Sequence, residues 1–95
     1  MLYGAGDIVI ATAGRDSGRY FIVLAAIDEI YVHIADGRTR LVEKPKRKKI
    51  RHISSVNASS GIREKTRELI AQGGMTNNAA KKIIREAAEE NGQKN

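Results

Sequence analysis

The chain contains no cysteine and no tryptophan, one proline, one phenylalanine and three tyrosines. Without thiols neither a disulfide framework nor a thiolate metal centre can form, so a reducing cytoplasm suits the chain better than a secreted scaffold's environment. Long apolar runs are missing too. The longest, Tyr20 to Ile27, has eight residues, against about 20 for a helix that crosses a bilayer. The opening Met1-Leu-Tyr-Gly-Ala-Gly-Asp7 lacks the basic and apolar regions of a secretory leader. The expectation is a soluble, cytoplasmic protein with no membrane contact. Catalytic groupings are absent as well. Asp7, Asp16, Asp28, Glu29 and Asp36 fall at strand ends or turns, where carboxylates cap and solvate, and nothing pairs a nucleophile with a base. His33 and His52 show no metal-ligand spacing. No enzyme activity, cofactor or metal is expected.

What the chain does have is concentrated positive charge. Residues 38–52 carry eight Lys and Arg against the single Glu43, whereas residues 1–37 are net acidic and residues 53–95 nearly balanced. A local density of fixed cations suits a polyanion, because each phosphate neutralised by Lys or Arg releases condensed counterions. The bland alternative is a solvated loop whose lysines blunt a strand edge.

At 95 residues there is room for one small domain and an appendage. β-Branched and aromatic residues cluster at Ile8 to Ile10, Tyr20 to Leu24 and Tyr31 to Ile34, with shorter runs at Leu41-Val42 and Ile50 to Ile53. These read as five short strands. Gly14 to Gly18, Ile27 to Ile30, Asp36-Gly37 and a basic turn centred on Pro45 separate them. Close turns and short strands suggest a strongly bent antiparallel barrel. Tyr20 to Ile27 does not alternate, so that strand should be covered on both faces. Ser54 to Ser60 is a polar linker, with Ser60 as the expected N-cap of a helix over Gly61 to Gln72. Gly73-Gly74 ends it. Thr76 or Asn77 caps a second helix whose Ala80, Ile83, Ile84, Ala87 and Ala88 form one apolar stripe. The first helix offers only Ile62, Leu69 and Ile70, so weak docking of the helical hairpin is expected, on the barrel or on a partner. Residues 91–95 should fray.

The segment from Gly6-Asp-Ile-Val-Ile-Ala-Thr-Ala-Gly14-Arg-Asp-Ser-Gly18-Arg-Tyr to Glu43-Lys-Pro-Lys-Arg-Lys-Lys-Ile-Arg-His-Ile53 resembles the KOW motif and the strands C-terminal to it. The likeness is to the archaeal and eukaryotic large-subunit ribosomal proteins of the fourteen-e group and to their small bacterial KOW-domain RNA-binding relatives, and it covers about the first 55 residues. It implies a mainly β fold, a small SH3-like (KOW) five-stranded barrel, followed here by a C-terminal helical hairpin. The division expected is residues 1–55 for the barrel, 56–60 for a linker and 61–95 for a helical extension. Gly14 falls at the motif glycine, Arg15 and Asp16 in the loop, Gly18 at its end and Arg19 where a second basic residue is usual. Ser17 stands where family members commonly carry Lys.

The reading is an RNA-binding module, ribosome- or translation-associated, that adheres to structured RNA. The expected contacts are Arg15, Arg19, Arg38, Arg40, Lys44, Lys46, Arg47, Lys48, Lys49, Arg51 and His52, with Tyr20 the best candidate among the aromatics for a stacking platform and burial its equal alternative. The competing reading is a protein-interaction module docking on an acidic transcription or translation partner. A homodimer or a protein partner through the C-terminal helices is a further expectation.

Overall fold

The computed structural model describes residues 2–92; of the tail expected to fray, residues 93–95 lie outside that range. Strands β1 (Ile8–Ala11), β2 (Tyr20–Ala26), β3 (Tyr31–Ala35), β4 (Lys46–Lys49) and β5 (Ile53–Ser55) form one antiparallel sheet in the order β4-β3-β2-β1-β5. A 3-10 turn over Ile50–His52 joins β4 to β5, and helices α1 (Ser60–Ala71) and α2 (Asn77–Glu90) come after β5. No helix among the described residues is long and apolar enough to cross a membrane.

The five antiparallel strands expected are present in one sheet, and that sheet is open: β4 and β5 are its edges and no ladder joins them. It is nevertheless curled. In a flat sheet four spacings would separate the edges by about 19 Å, whereas a three-residue 3-10 turn advances only about 6 Å. The short link therefore forces the sheet to wrap. Inside the curl lie Val9, Ala11, Phe21, Val23, Val32, Ile34 and Ile53, all buried. Alternate residues face outward, because strand side chains reverse direction with period two. Ile8 pairs with Ile22 and Ile10 with Tyr20 on that outer face.

Helix α2 covers this outer face. Its Ala80, Ile83 and Ala87 are 1% exposed or less and join Ile8, Ile22 and Ala58 in a second core. Tyr20 and Leu24 of β2 and Ile62, Leu69 and Ile70 of α1 pack against that core. The apolar run is thus covered on both sides over Tyr20 to Leu24, whereas Ala25 and Ile27 at its far end are exposed, which corrects the expectation that the whole of Tyr20 to Ile27 is covered. The docking is firmer than the thin face of α1 suggests, because α2 supplies most of the contact. The polar linker is also tied down: Val56 N–H donates to the Ile8 carbonyl at 2.9 Å and Ala58 is buried. The cap of α1 is Ser59, one residue before the expected Ser60, with Ile62 N–H donating to its hydroxyl. Thr76 caps α2.

Two strand assignments change. Leu41-Val42 is not a strand, and β4 runs through Lys46–Lys49, where the sequence suggests a turn. Asp36 draws the chain into a tight turn, accepting the N–H groups of Arg38, Thr39 and Arg40 at 2.8–2.9 Å. Asn77, at the start of α2, then captures Val42 by accepting its N–H at 2.8 Å, while its own amide donates to Glu43. Val42 is consequently packed with the helical core instead of a ladder. Only after Pro45 does the chain pair with β3, placing Lys46 opposite Ile34 and Lys48 opposite Val32. Ile50–His52, expected to be strand, winds into the 3-10 turn.

Gly37 sits where this turn meets α2. Its φ is +77°, and a Cβ there would overlap the Asn77 carbonyl. Gly37→Ala is expected to lower unfolding free energy by about 2–4 kcal/mol, combining left-handed strain with the overlap. Urea unfolding checks this, and a loss below about 1 kcal/mol would mean that the turn is not held against α2.

Candidate functional site

The Gly14–Gly18 connection is a compact loop: Gly18 N–H donates to Ala11 O at 2.8 Å and Ser17 N–H to Gly14 O at 3.2 Å. Gly14 and Gly18 both have φ near +85°, the left-handed region that glycine adopts without steric penalty. The loop turns Asp16 inward, to 6% exposure, and leaves Arg15, Ser17 and Arg19 outward. Asp16 accepts from Arg40 Nε at 3.2 Å and Nη2 at 3.0 Å. Arg40 therefore ties the loop to the Asp36 turn, and much of its charge is answered within the protein.

Asp36 is likewise committed. Burial pushes its carboxyl upward, but the three N–H donors and the Thr39 hydroxyl outweigh that and hold it below the ordinary aspartate value. Glu43 is held low by its own backbone N–H and by the Asn77 amide.

The basic strand β4 sorts its cations by face. Lys46 and Lys48 share the face of Ile34 and Val32, while Arg47 and Lys49 lie opposite His33 and Tyr31. Lys48 is 7% exposed, and its ammonium donates to the Ala13 carbonyl at 2.9 Å. It bridges the open seam between β4 and the loop after β1, so of the expected RNA contacts it is the one most occupied structurally. Arg47 is exposed and lies 4.6 Å from the centre of the Tyr31 ring, a cation-π distance. Arg51 is exposed and His52 half-buried on the 3-10 turn. His52 is held below the ordinary imidazole value by desolvation and then by Arg51, Lys48 and Lys49. At neutral pH it contributes a ring and a neutral donor rather than a charge.

Arg15, Arg19, Arg38, Lys44, Lys46, Arg47, Lys49 and Arg51 have no carboxylate within 4.0 Å among the described residues. They are not one cluster. A shallow depression brings Lys44, Lys46 and Arg47 together beside Thr39 and Pro45. On the other side of the Asp36 turn, an open groove of about 1320 Å³ brings Arg19 and Arg38 opposite Lys81, Lys82 and Arg85 of α2. Tyr20 lines it, half-buried. The α2 cations are absent from the sequence-based site because they lie some forty to sixty-six positions from their sheet-side neighbours in the groove. The available signal was their i, i+1, i+4 spacing, which gathers them on one side of a helix.

Among the described residues no three His, Asp or Glu side chains gather as a metal site would require. The assembled surface offers fixed ammonium and guanidinium groups and the half-buried rings of Tyr20 and Tyr31, which is chemistry for holding an anionic polymer. No protein-family model matches the chain, and no curated protein sequence matches it.

Proposed function

We propose that this chain is an RNA-binding module, cytoplasmic and ribosome- or translation-associated, that works by adhesion and not by catalysis. The observation that carries the reading is β4: the densest basic run is an edge strand held in register by β3, so Lys46, Arg47 and Lys49 project from a rigid ladder. Cations fixed in this way lose less side-chain and backbone entropy on binding phosphates than the same residues in a floppy tail would. Arg15 and Arg19 add exposed cations on the glycine loop, and Lys44 and Arg51 lie beyond either end of β4. The strand order and the 3-10 turn before the last strand support an SH3-like, KOW-type architecture, with the seam bridged by Lys48 in place of a ladder. Duplex regions would be recognised by shape, since the A-form major groove hides base edges.

Binding to a structured RNA is expected to weaken with salt along a log-log slope of about −3 to −5, corresponding to some four to six phosphate contacts. Fluorescence anisotropy across a salt series measures it. A slope near zero would remove phosphate contact as the driving force. The exposed Ile27 and Ile30 at the β2–β3 turn favour a second reading, docking on an acidic protein partner. Co-purification after nuclease treatment separates the two, because only a direct protein partner survives it.

A further inference from the structure

We propose that the groove between α2 and the Asp36 turn holds a single-stranded segment of RNA, continuing the path that begins at β4. The inference deepens the RNA-binding reading and rests on it. Five cations line the groove from opposite walls: Arg19 and Arg38 from the sheet side, Lys81, Lys82 and Arg85 from the helix. None has a carboxylate within 4.0 Å among the described residues. Two acids, Asp36 and Glu89, also line it. The donors of its own turn occupy both Asp36 oxygens and keep the carboxylate ionised, so Asp36 and Glu89 both oppose an incoming anion, two acids against five cations. The field in the groove is positive.

Shape and floor favour an unpaired strand. The volume of about 1320 Å³ exceeds the 300–1,000 Å³ usual for an enclosed small-molecule site, and the groove is open to solvent, as a chain requires. Tyr20 and Ile84 present apolar surface between the charged walls, with Thr39 and Asn78 as polar neighbours. Cationic walls around a ring on which bases stack are the working parts of single-strand binding without strong sequence preference. Thr39 borders both this groove and the depression of Lys44, Lys46 and Arg47. A strand leaving a stem docked on β4 therefore meets the groove next.

The test uses the full chain and two probes: a blunt RNA hairpin, and the same hairpin with an extension of about ten unpaired nucleotides. The extension is expected to tighten binding about tenfold or more, and Lys81→Gln/Lys82→Gln/Arg85→Gln is expected to erase that gain while leaving the blunt hairpin within about twofold. All three side chains are exposed, and a thermal melt checks that the variant is folded. Arg38→Gln, from the opposite wall, must also reduce the gain, which keeps the test decisive should the triple variant be unstable. If the hairpin binds but the extension adds nothing, or the variants keep the gain, the groove inference falls and the RNA reading stands. Equal weakening of both probes by the triple variant overturns the inference too, because the helix cations then act only as a general field. If neither probe binds, the RNA reading fails and the groove falls with it.

Discussion

A chain of residues 1–60 is expected to show no cooperative thermal transition, although it contains every strand of the sheet. Removing α1 and α2 uncovers Ile8 and Ile22, which are 3% and 0% exposed in the full chain, together with the packed parts of Tyr20, Leu24, Val42 and Val56. Re-exposing one buried Ile forfeits about 1.5–3 kcal/mol. The two isoleucines and the partly covered residues together approach the 5–15 kcal/mol that stabilises a typical domain. The cut also takes Asn77, whose side chain holds Val42 and Glu43 and fixes the approach to β4. About 60 residues is already near the size at which a single core is marginal. Circular dichroism melts of 1–60 and of the full chain decide the matter. A two-state melt of the short chain within about 10 °C of the full one would show that the curled sheet sustains itself. The single-residue counterpart is Ile83→Ala, which removes the centre of the α2 contact and is expected to cost about 2–5 kcal/mol.

Lys44→Glu/Arg47→Glu/Arg51→Glu is expected to reduce RNA affinity by about 100-fold or more at 0.1 M salt, since each phosphate contact contributes about 0.7–0.9 decades there through counterion release. The melting behaviour should change little. All three side chains are exposed, and the main structural loss is the Arg47 contact with Tyr31, worth about 0.5–1 kcal/mol. Lys48→Glu should behave in the opposite way. It replaces the donor to Ala13 O with a carboxylate at a 7% exposed position, leaving like partial charges face to face with little water to screen them. Destabilisation should exceed about 2 kcal/mol. Anisotropy and urea unfolding on both variants separate the roles. Unchanged RNA affinity in the folded triple variant would show that β4 and its flanks are not the phosphate-binding surface, and a Lys48→Glu protein as stable as the parent would show that the seam does not depend on the ammonium.

The elements legible in the sequence are those whose cause is local. β1, β2 and β3 announce themselves through β-branched runs between glycine and aspartate turns, and α2 through Thr76 and the spacing of Ala80, Ile83 and Ala87, because strand and helix periodicity involve residues a few positions apart. The same holds for the outward placement of Arg15 and Arg19, set by the two glycines beside them. β4 could not be read this way. Lys-Arg-Lys-Lys has little strand preference of its own and becomes a strand because β3 offers it a ladder, while the more strand-like Leu41-Val42 is drawn off by Asn77, 35 positions away from Val42. The sorting of the cations is equally non-local. Arg40 is claimed by Asp16 and Lys48 by Ala13, whereas Lys81, Lys82 and Arg85 acquire partners across a groove only when α2 packs on the sheet. Composition thus determined that the chain carries a concentrated positive charge on a small strand-and-helix framework. Which cations stay free to meet an anion was decided by the tertiary structure, because a charge is neutralised by whatever lies within a few ångströms of it and not by what precedes it in the chain.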